Sequence, residues 1–126
     1  MDSVQKYRTY GRHRSLRLND VAYREPGCVA HLTVCCKDRG PFFENRELAI
    51  YALSTAHGCA DEAGTKLWAC CVMPNHVHLL LQVINRTPKT ESLNPISRFV
   101  RQWKGQVLVF ARRCRLPLAF QKSFYD

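Results

Sequence analysis

The sequence has 126 residues, of which 46% are apolar, enough for one domain with a buried core and too few for two ordinary domains. Lys and Arg number 19 against 10 Asp and Glu, and the net charge of +9 favours a polyanionic partner, either nucleic acid or an anionic membrane face. No apolar run approaches the roughly 18 residues of a membrane span, and no apolar stretch follows the basic N-terminus as in a secretory signal. We therefore expect a cytoplasmic protein without a membrane partner.

The seven cysteines do not have the spacing of a disulfide framework, because their number is odd and no Cys-x-x-Cys occurs. Cys35–Cys36 and Cys70–Cys71 are adjacent pairs in apolar runs, and neighbours on a strand point to opposite faces. We expect reduced, buried thiols that act as small hydrophobic side chains. A cysteine-dependent metal or redox protein is the weaker alternative.

Residues 1–26 are predicted to form a basic N-terminal arm, and residues 27–126 the folded domain. Tyr7 and Tyr10 interleave with the cations of the arm, which are Lys6, Arg8, Arg12, Arg14, Arg17 and Arg24. Pro26-Gly27 indicates a turn. The following residues 28–36 are rich in β-branched and thiol side chains, which predicts a buried strand ending at the Lys-Asp-Arg-Gly-Pro stretch.

The first helix is predicted to begin after Asn45, a good N-cap residue, and to end at Gly64, a natural C-terminal residue. Its apolar stripe is mostly alanine, which suits close packing on a sheet. The residues of this stripe are Leu48, Ala52, Leu53, Ala56, Ala60 and Ala63.

Residues 66–73 and 76–83 are predicted to form two strands, and the short Pro74-Asn75 link between them favours a hairpin. We expect Trp68, on the first of these strands, and Trp103 to lie in the core.

A second helix is predicted to follow Asn94 as N-cap and Pro95 as first residue. Its apolar face comprises Ile96, Phe99, Val100, Trp103, Val107 and Phe110. Residues 118–121 are predicted to form a fourth strand. The resulting order, strand, helix, strand, strand, helix, strand, predicts a ferredoxin-like βαββαβ fold of the α+β class, with two helices on one face of an antiparallel sheet.

His76 and His78 are the main chemical signal, because positions i and i+2 of a strand share a face. Such a pair suits two ligands of one metal ion or two contacts to one phosphate, although a metal shell needs a further ligand. The alternative is a surface pair that binds nothing. His31 would approach the pair if the first and third strands are neighbours, whereas a lone strand histidine is more often structural.

Basic side chains form the second signal, and we predict that they contact nucleic-acid phosphates. The predicted contacts are Arg98, Arg101 and Lys104 on the second helix and Arg12, Arg14 and Arg17 in the arm. The alternative is a solvated charged surface.

The string Val-Met-Pro-Asn-His-Val-His-Leu-Leu-Leu at 72–81 resembles the signature of the HUH single-strand tyrosine transposases, in particular the REP-associated, RAYT-like branch. Three further stretches resemble motifs of that branch in the same order. They are the basic Arg-Ser-Leu-Arg-Leu at 14–18, the strand and turn at 31–39, and the aromatic-Gln motif at 120–126.

The resemblance implies a βαββαβ core that binds a DNA hairpin and its adjoining single strand as a monomer or homodimer. It implies that His76 and His78 hold a divalent cation, Mg²⁺ or Mn²⁺, which polarises the scissile phosphodiester. A tyrosine then attacks the phosphorus, giving a 5′-phosphotyrosine and a free 3′-hydroxyl, so that the strand can later be rejoined.

The chain departs from this family in one respect. The nucleophilic tyrosine lies on a helix after the aromatic-Gln motif, with the third metal ligand one turn beyond it, whereas this sequence ends at Asp126. None of Tyr7, Tyr10, Tyr23, Tyr51 and Tyr125 matches the nucleophile, and Tyr125 is the only suggested substitute. We expect a truncated transposase that binds DNA without cleaving it. The alternative is a non-catalytic nucleic-acid-binding module whose histidines contact phosphate.

Overall fold

Two helices and three strands make up the regular structure in the computed structural model, which describes residues 20–125. In chain order they are β1 (Val29–Cys35), α1 (Arg46–Ala63), β2 (Thr65–Met73), β3 (His76–Val83) and α2 (Pro95–Arg113). Short 3₁₀ turns lie at Ala22–Arg24, Lys37–Arg39 and Phe42–Glu44.

The sheet is antiparallel with the strand order β1-β3-β2, so the strand that carries the two histidines is central. The alternate residues Val77, Leu79, Leu81 and Val83 of β3 are fully buried. His76, His78, Leu80 and Gln82, which point the other way, are half-buried. We call the surface that carries these four residues the open face, and the opposite surface the helix face.

Both helices cover the helix face, and their ends agree with the sequence prediction. Asn45 accepts a hydrogen bond from the Leu48 amide at 3.0 Å, and Gly64 ends α1 with a left-handed φ of 79°. The alanines of the stripe are buried and allow the helix to approach the sheet closely. Leu53 was expected in this stripe but is 43% exposed, because it follows Ala52 by one residue and so faces about 100° away from it.

The second helix packs across the first through Trp103, which is fully buried as predicted. Its indole N–H donates to the Ala52 carbonyl oxygen at 3.0 Å. Asn94 accepts from the Ser97 amide at 2.8 Å, and Pro95 is the first helical residue. The α+β class with two helices and an antiparallel sheet is therefore confirmed.

The predicted fourth strand at 118–121 is present only as an isolated bridge of Phe120 with Cys36 at the edge of β1, and a second bridge joins Tyr125, beyond the predicted strand, to Thr33. The Gln121 amide donates to the Cys35 carbonyl at 2.9 Å between these bridges. Leu118 and Phe124 are buried on either side, so core packing fixes this segment without a continuous ladder.

The packed part of the chain already includes residues before the predicted boundary at 26. Tyr23 is 2% exposed and lies against Phe124, with ring centroids 6.3 Å apart. Within residues 20–125, no helix is long and apolar enough to cross a membrane.

Candidate metal and nucleic-acid site

His76 and His78 project together from the open face, as the spacing predicts. Their ring centroids are 4.7 Å apart and the rings are perpendicular. The two Nε2 atoms lie 3.1 Å apart, so both rings present the same nitrogen to one point in space. Both side chains are half-buried, which limits their rotation while leaving the point between the nitrogens accessible.

The turn before β3 fixes the tautomer of His76. Its Nδ1 lies 2.7 Å from Oδ1 of Asn75. An amide oxygen can only accept a hydrogen bond, so Nδ1 carries the proton and Nε2 keeps its lone pair. Sequence reasoning read Asn75 only as a turn residue and missed this second role.

His31 joins the pair because β1 and β3 are neighbours, which is the condition stated from the sequence. Its Nε2 lies 3.2 Å from Nδ1 of His78, and Oγ1 of Thr33 lies 3.3 Å from the same nitrogen. Both are therefore partners for the ring edge of His78 that faces away from His76. Thr33 was missed because its role depends on the strand register, which places it directly opposite His78.

The surroundings of His78 favour its neutral form. Burial lowers the pKa of its imidazole, and the nearby His76 and His31 lower this pKa further. A neutral imidazole has a free lone pair, which is the form that binds metal ions.

The nitrogen pair fits two neighbouring ligands of one divalent ion. Two ligand atoms about 2.1 Å from an ion lie about 3.0 Å apart when they subtend a right angle, close to the 3.1 Å between the Nε2 atoms. His31 lies at the opposite edge of His78 and does not converge on the same point. Across residues 20–125, no three or more His, Cys, Asp or Glu side chains form a group suited to a metal ion.

The described cations among those predicted to bind DNA lie on α2, which packs on the helix face. Arg12, Arg14 and Arg17 lie outside the described residues. Arg98 donates to the carbonyl oxygens of Ala63 and Leu93, at 3.3 and 3.1 Å, and Lys104 donates to that of Gln121 at 2.8 Å.

Arg101 is exposed, and it lines a groove of about 570 Å³ together with Arg98 and Arg113. Tyr51 and Phe110, stacked with centroids 4.2 Å apart, form part of the same wall. The helix that carries these arginines packs on the helix face, so this groove and the histidine pair are separate surfaces.

The described tyrosines occupy three different environments. Tyr23 is buried and Tyr51 is stacked on Phe110, both away from the open face. Tyr125 is 38% exposed, and its backbone pairs with Thr33 through two hydrogen bonds of 2.7 and 3.0 Å. It is thus separated from His78 by one strand.

The cysteines are all free thiols, as expected, but only three of them, Cys35, Cys36 and Cys59, are buried. Cys71 and Cys114 are exposed, which corrects the prediction that all seven lie in the core. Burial raises the pKa of Cys36 and that of Cys70 to about 11, which keeps both protonated at neutral pH and unreactive.

Trp68 was expected in the core and is instead 55% exposed. The β2–β3 register shifts between Leu67 and Ala69, so Trp68 is the extra residue of a bulge. Its side chain lies on the same face as that of Lys66, two residues earlier, which pairs with Gln82 on the open face.

The chain thus carries a helix pair on one face of an antiparallel sheet and a His-x-His pair on the other. The family model for IS200-like transposases matches residues 25–115. The chain therefore belongs to the IS200-like transposase family, and the resemblance found in the sequence is confirmed.

Two solved structures share this fold. A candidate transposase from Deinococcus radiodurans R1 is 25% identical, with a TM-score of 0.60, over 79% of this chain and 77% of its own. A REP-associated tyrosine transposase bound to a REP hairpin is 18% identical, with a TM-score of 0.58, over 90% of this chain and 60% of its own. A comparison with curated proteins finds no match.

Proposed function

We propose that this chain is a transposase domain that binds hairpin or single-stranded DNA and holds one divalent ion, Mg²⁺ or Mn²⁺, between His76 and His78. The observation that carries the proposal is the 3.1 Å separation of two Nε2 atoms on the open face of the sheet. Membership of the IS200-like family supports it.

The residues around the pair prepare both nitrogens for this role. Oδ1 of Asn75 accepts a hydrogen bond from Nδ1 of His76. His31 and Thr33 can accept one from Nδ1 of His78. Hydrogen bonds of this kind orient metal-binding imidazoles and raise their basicity. A divalent ion bound there supplies Lewis-acid polarisation of a phosphodiester.

The net charge of +9 and the hairpin bound to the REP-associated neighbour support DNA as the partner. Of the three α2 cations that were predicted to bind DNA, Arg101 is the best placed to contact phosphate because its side chain is exposed. Arg98 and Lys104 each donate to backbone carbonyls, so we assign them mainly to holding α2 and the 118–125 segment in place.

We also propose that this chain binds DNA without cleaving it. Tyr23 and Tyr51 are engaged on the helix side, and Tyr125 is one strand away from His78. Of the described tyrosines, Tyr125 is the nearest candidate by strand position, and it falls within the aromatic-Gln motif and not in the family position of the nucleophile.

The test is fluorescence anisotropy with the full chain and three labelled DNAs: a hairpin with a single-stranded flank, a single strand and a blunt duplex. We expect at least about tenfold tighter binding to the first two. Incubation of a labelled single strand with Mn²⁺ should give no covalent adduct on a denaturing gel. Equal affinity for the duplex would contradict the proposed preference for hairpin and single-stranded DNA. A covalent adduct that Tyr125→Phe abolishes would contradict the proposal that the chain does not cleave DNA.

One observation favours the second candidate, a non-catalytic module whose histidines contact phosphate directly. The described residues provide only two converging ligands. A chelator distinguishes the two: in a metal-dependent site EDTA weakens DNA binding, and His76→Ala and His78→Ala remove that effect. In a phosphate-contact site EDTA has no effect, while both variants weaken binding.

A further inference from the structure

The open face carries a large exposed aromatic side chain, Trp68, at a bulge in β2. Trp68 is the extra residue of this bulge, and bulges are commonly found where a side chain is redirected beside a functional site. The indole N–H donates to Oε1 of Gln82 at 3.0 Å. Since Gln82 belongs to the open face, this bond places the ring on the same face as His76 and His78.

The ring is held in position, and a cation lies over one of its two faces, so that a base would stack on the other face. The Lys66 ammonium lies 4.0 Å from the ring centroid, and Lys66 pairs with Gln82 on the open face. An exposed, oriented indole with an adjacent positive charge matches the recurring features of single-strand binding, namely an aromatic surface for the base and a cation for the phosphate.

A groove beside the histidines reaches Ala69, the residue that follows Trp68. It has a volume of about 320 Å³, and its lining includes His31, His78, Ala69, Cys71 and Leu80. Gln82 and His78 are four residues apart on β3, about 13 Å at the usual strand rise. About four stacked nucleotides, or fewer extended ones, span that length at about 3.4 Å each.

We propose that Trp68 stacks on a base of the single strand whose phosphodiester lies at His76 and His78, so that the open face is a track for single-stranded DNA. This inference rests on the proposed function and adds the path of the strand to it. The positive net charge of the chain favours DNA, and not a second copy of the chain, as the molecule that binds this face. A second copy would bring another +9 and another Lys66 toward this face.

The test uses the two tryptophans of the chain, since Trp68 is exposed whereas Trp103 is fully buried. A single-stranded oligothymidine should quench the emission of the wild-type protein and leave that of Trp68→Phe, which reports Trp103 alone, nearly unchanged. With an end-labelled oligothymidine, anisotropy should show that Trp68→Ala binds about 5- to 100-fold more weakly. Trp68→Phe should keep most of the affinity because it retains an aromatic face.

Ile50→Ala is the matched control, because Ile50 is equally exposed, at 52%, but lies on α1. It should leave both signals unchanged, and circular dichroism should show all variants folded. Wild-type binding without quenching, and with Trp68→Ala unaffected, would overturn the stacking inference while the proposed function stands. No binding of any single strand by the wild type would overturn both. If tryptophan emission were quenched with rising protein concentration in the absence of DNA, the open face would be a contact between copies of the chain. That result would overturn the inference.

Discussion

At the scale of single residues, Arg24 shows how the chain before β1 is attached to the domain. Its side chain is 8% exposed and donates to Oδ2 of Asp20 at 2.8 Å and to the carbonyl oxygens of Pro88 and Glu91 at 2.7 and 2.8 Å. The hydrogen bond from Arg24, followed by that from Asn94, lowers the pKa of Asp20. Each of the three nitrogens of this buried guanidinium therefore has a hydrogen-bond acceptor, and pairing of this kind is how a buried charge is tolerated.

Replacing Arg24 should destabilise the fold markedly. Arg24→Ala removes the donor to two carbonyl oxygens and to Oδ2 of Asp20, and we expect the free energy of unfolding to fall by about 2–4 kcal/mol. The matched control is Arg86→Ala, which breaks an exposed 3.4 Å pair with Glu25 and should cost less than about 1 kcal/mol. Urea unfolding measures both. Equal decreases in the free energy of unfolding for the two variants would show that Arg24 does not stabilise the fold through these hydrogen bonds.

At the scale of elements, the two helices begin with the same residue type in different surroundings. Asn45 is exposed and its side chain caps α1 through one hydrogen bond. Asn94 is 6% exposed, accepts from the Ser97 amide, and donates through Nδ2 to Oδ1 of Asp20 at 2.9 Å. Asn94 thus connects the start of α2 to the segment that Arg24 also holds.

The two caps should consequently differ in their contribution to stability. We expect Asn45→Ala to lower the free energy of unfolding by about 1 kcal/mol. Asn94→Ala should cost about 1 kcal/mol more, because it also removes the hydrogen bond to the Asp20 carboxylate and a side chain that is itself buried. Thermal or urea unfolding of the two variants decides, and an equal or smaller loss for Asn94→Ala would contradict this ranking.

The helix ends were predictable because caps act over three or four neighbouring residues. Asn45, Gly64 and Asn94 each carry their signal locally, and each prediction was confirmed. The bulge at Trp68 was not predictable, since it is a property of the pairing between β2 and β3 and not of either strand alone. The edge segment after Pro117 likewise depends on two buried side chains and a turn.

At the scale of the whole molecule, the sheet separates the arginine groove of α2 from the histidine pair. The helix face holds the core and, beyond it, the arginine groove of α2. The open face carries the histidines on β3 and Trp68 on β2. Within residues 20–125, the isolated bridges of the 118–125 segment lie along the edge of β1. Period-two spacing predicted the histidine pair, whereas the roles of Thr33 and Asn75 required strand register and turn geometry that no local pattern encodes.

The measurement that tests the central claim most directly is Mn²⁺ binding to the full chain, followed by electron paramagnetic resonance of the free ion. We predict one site in the wild type, and at least about tenfold weaker binding in His76→Ala and in His78→Ala. His57→Ala, which removes an exposed imidazole from α1, should bind as the wild type does. Affinity unchanged in the two site variants, or no binding by the wild type, would contradict the claim that these imidazoles hold one ion.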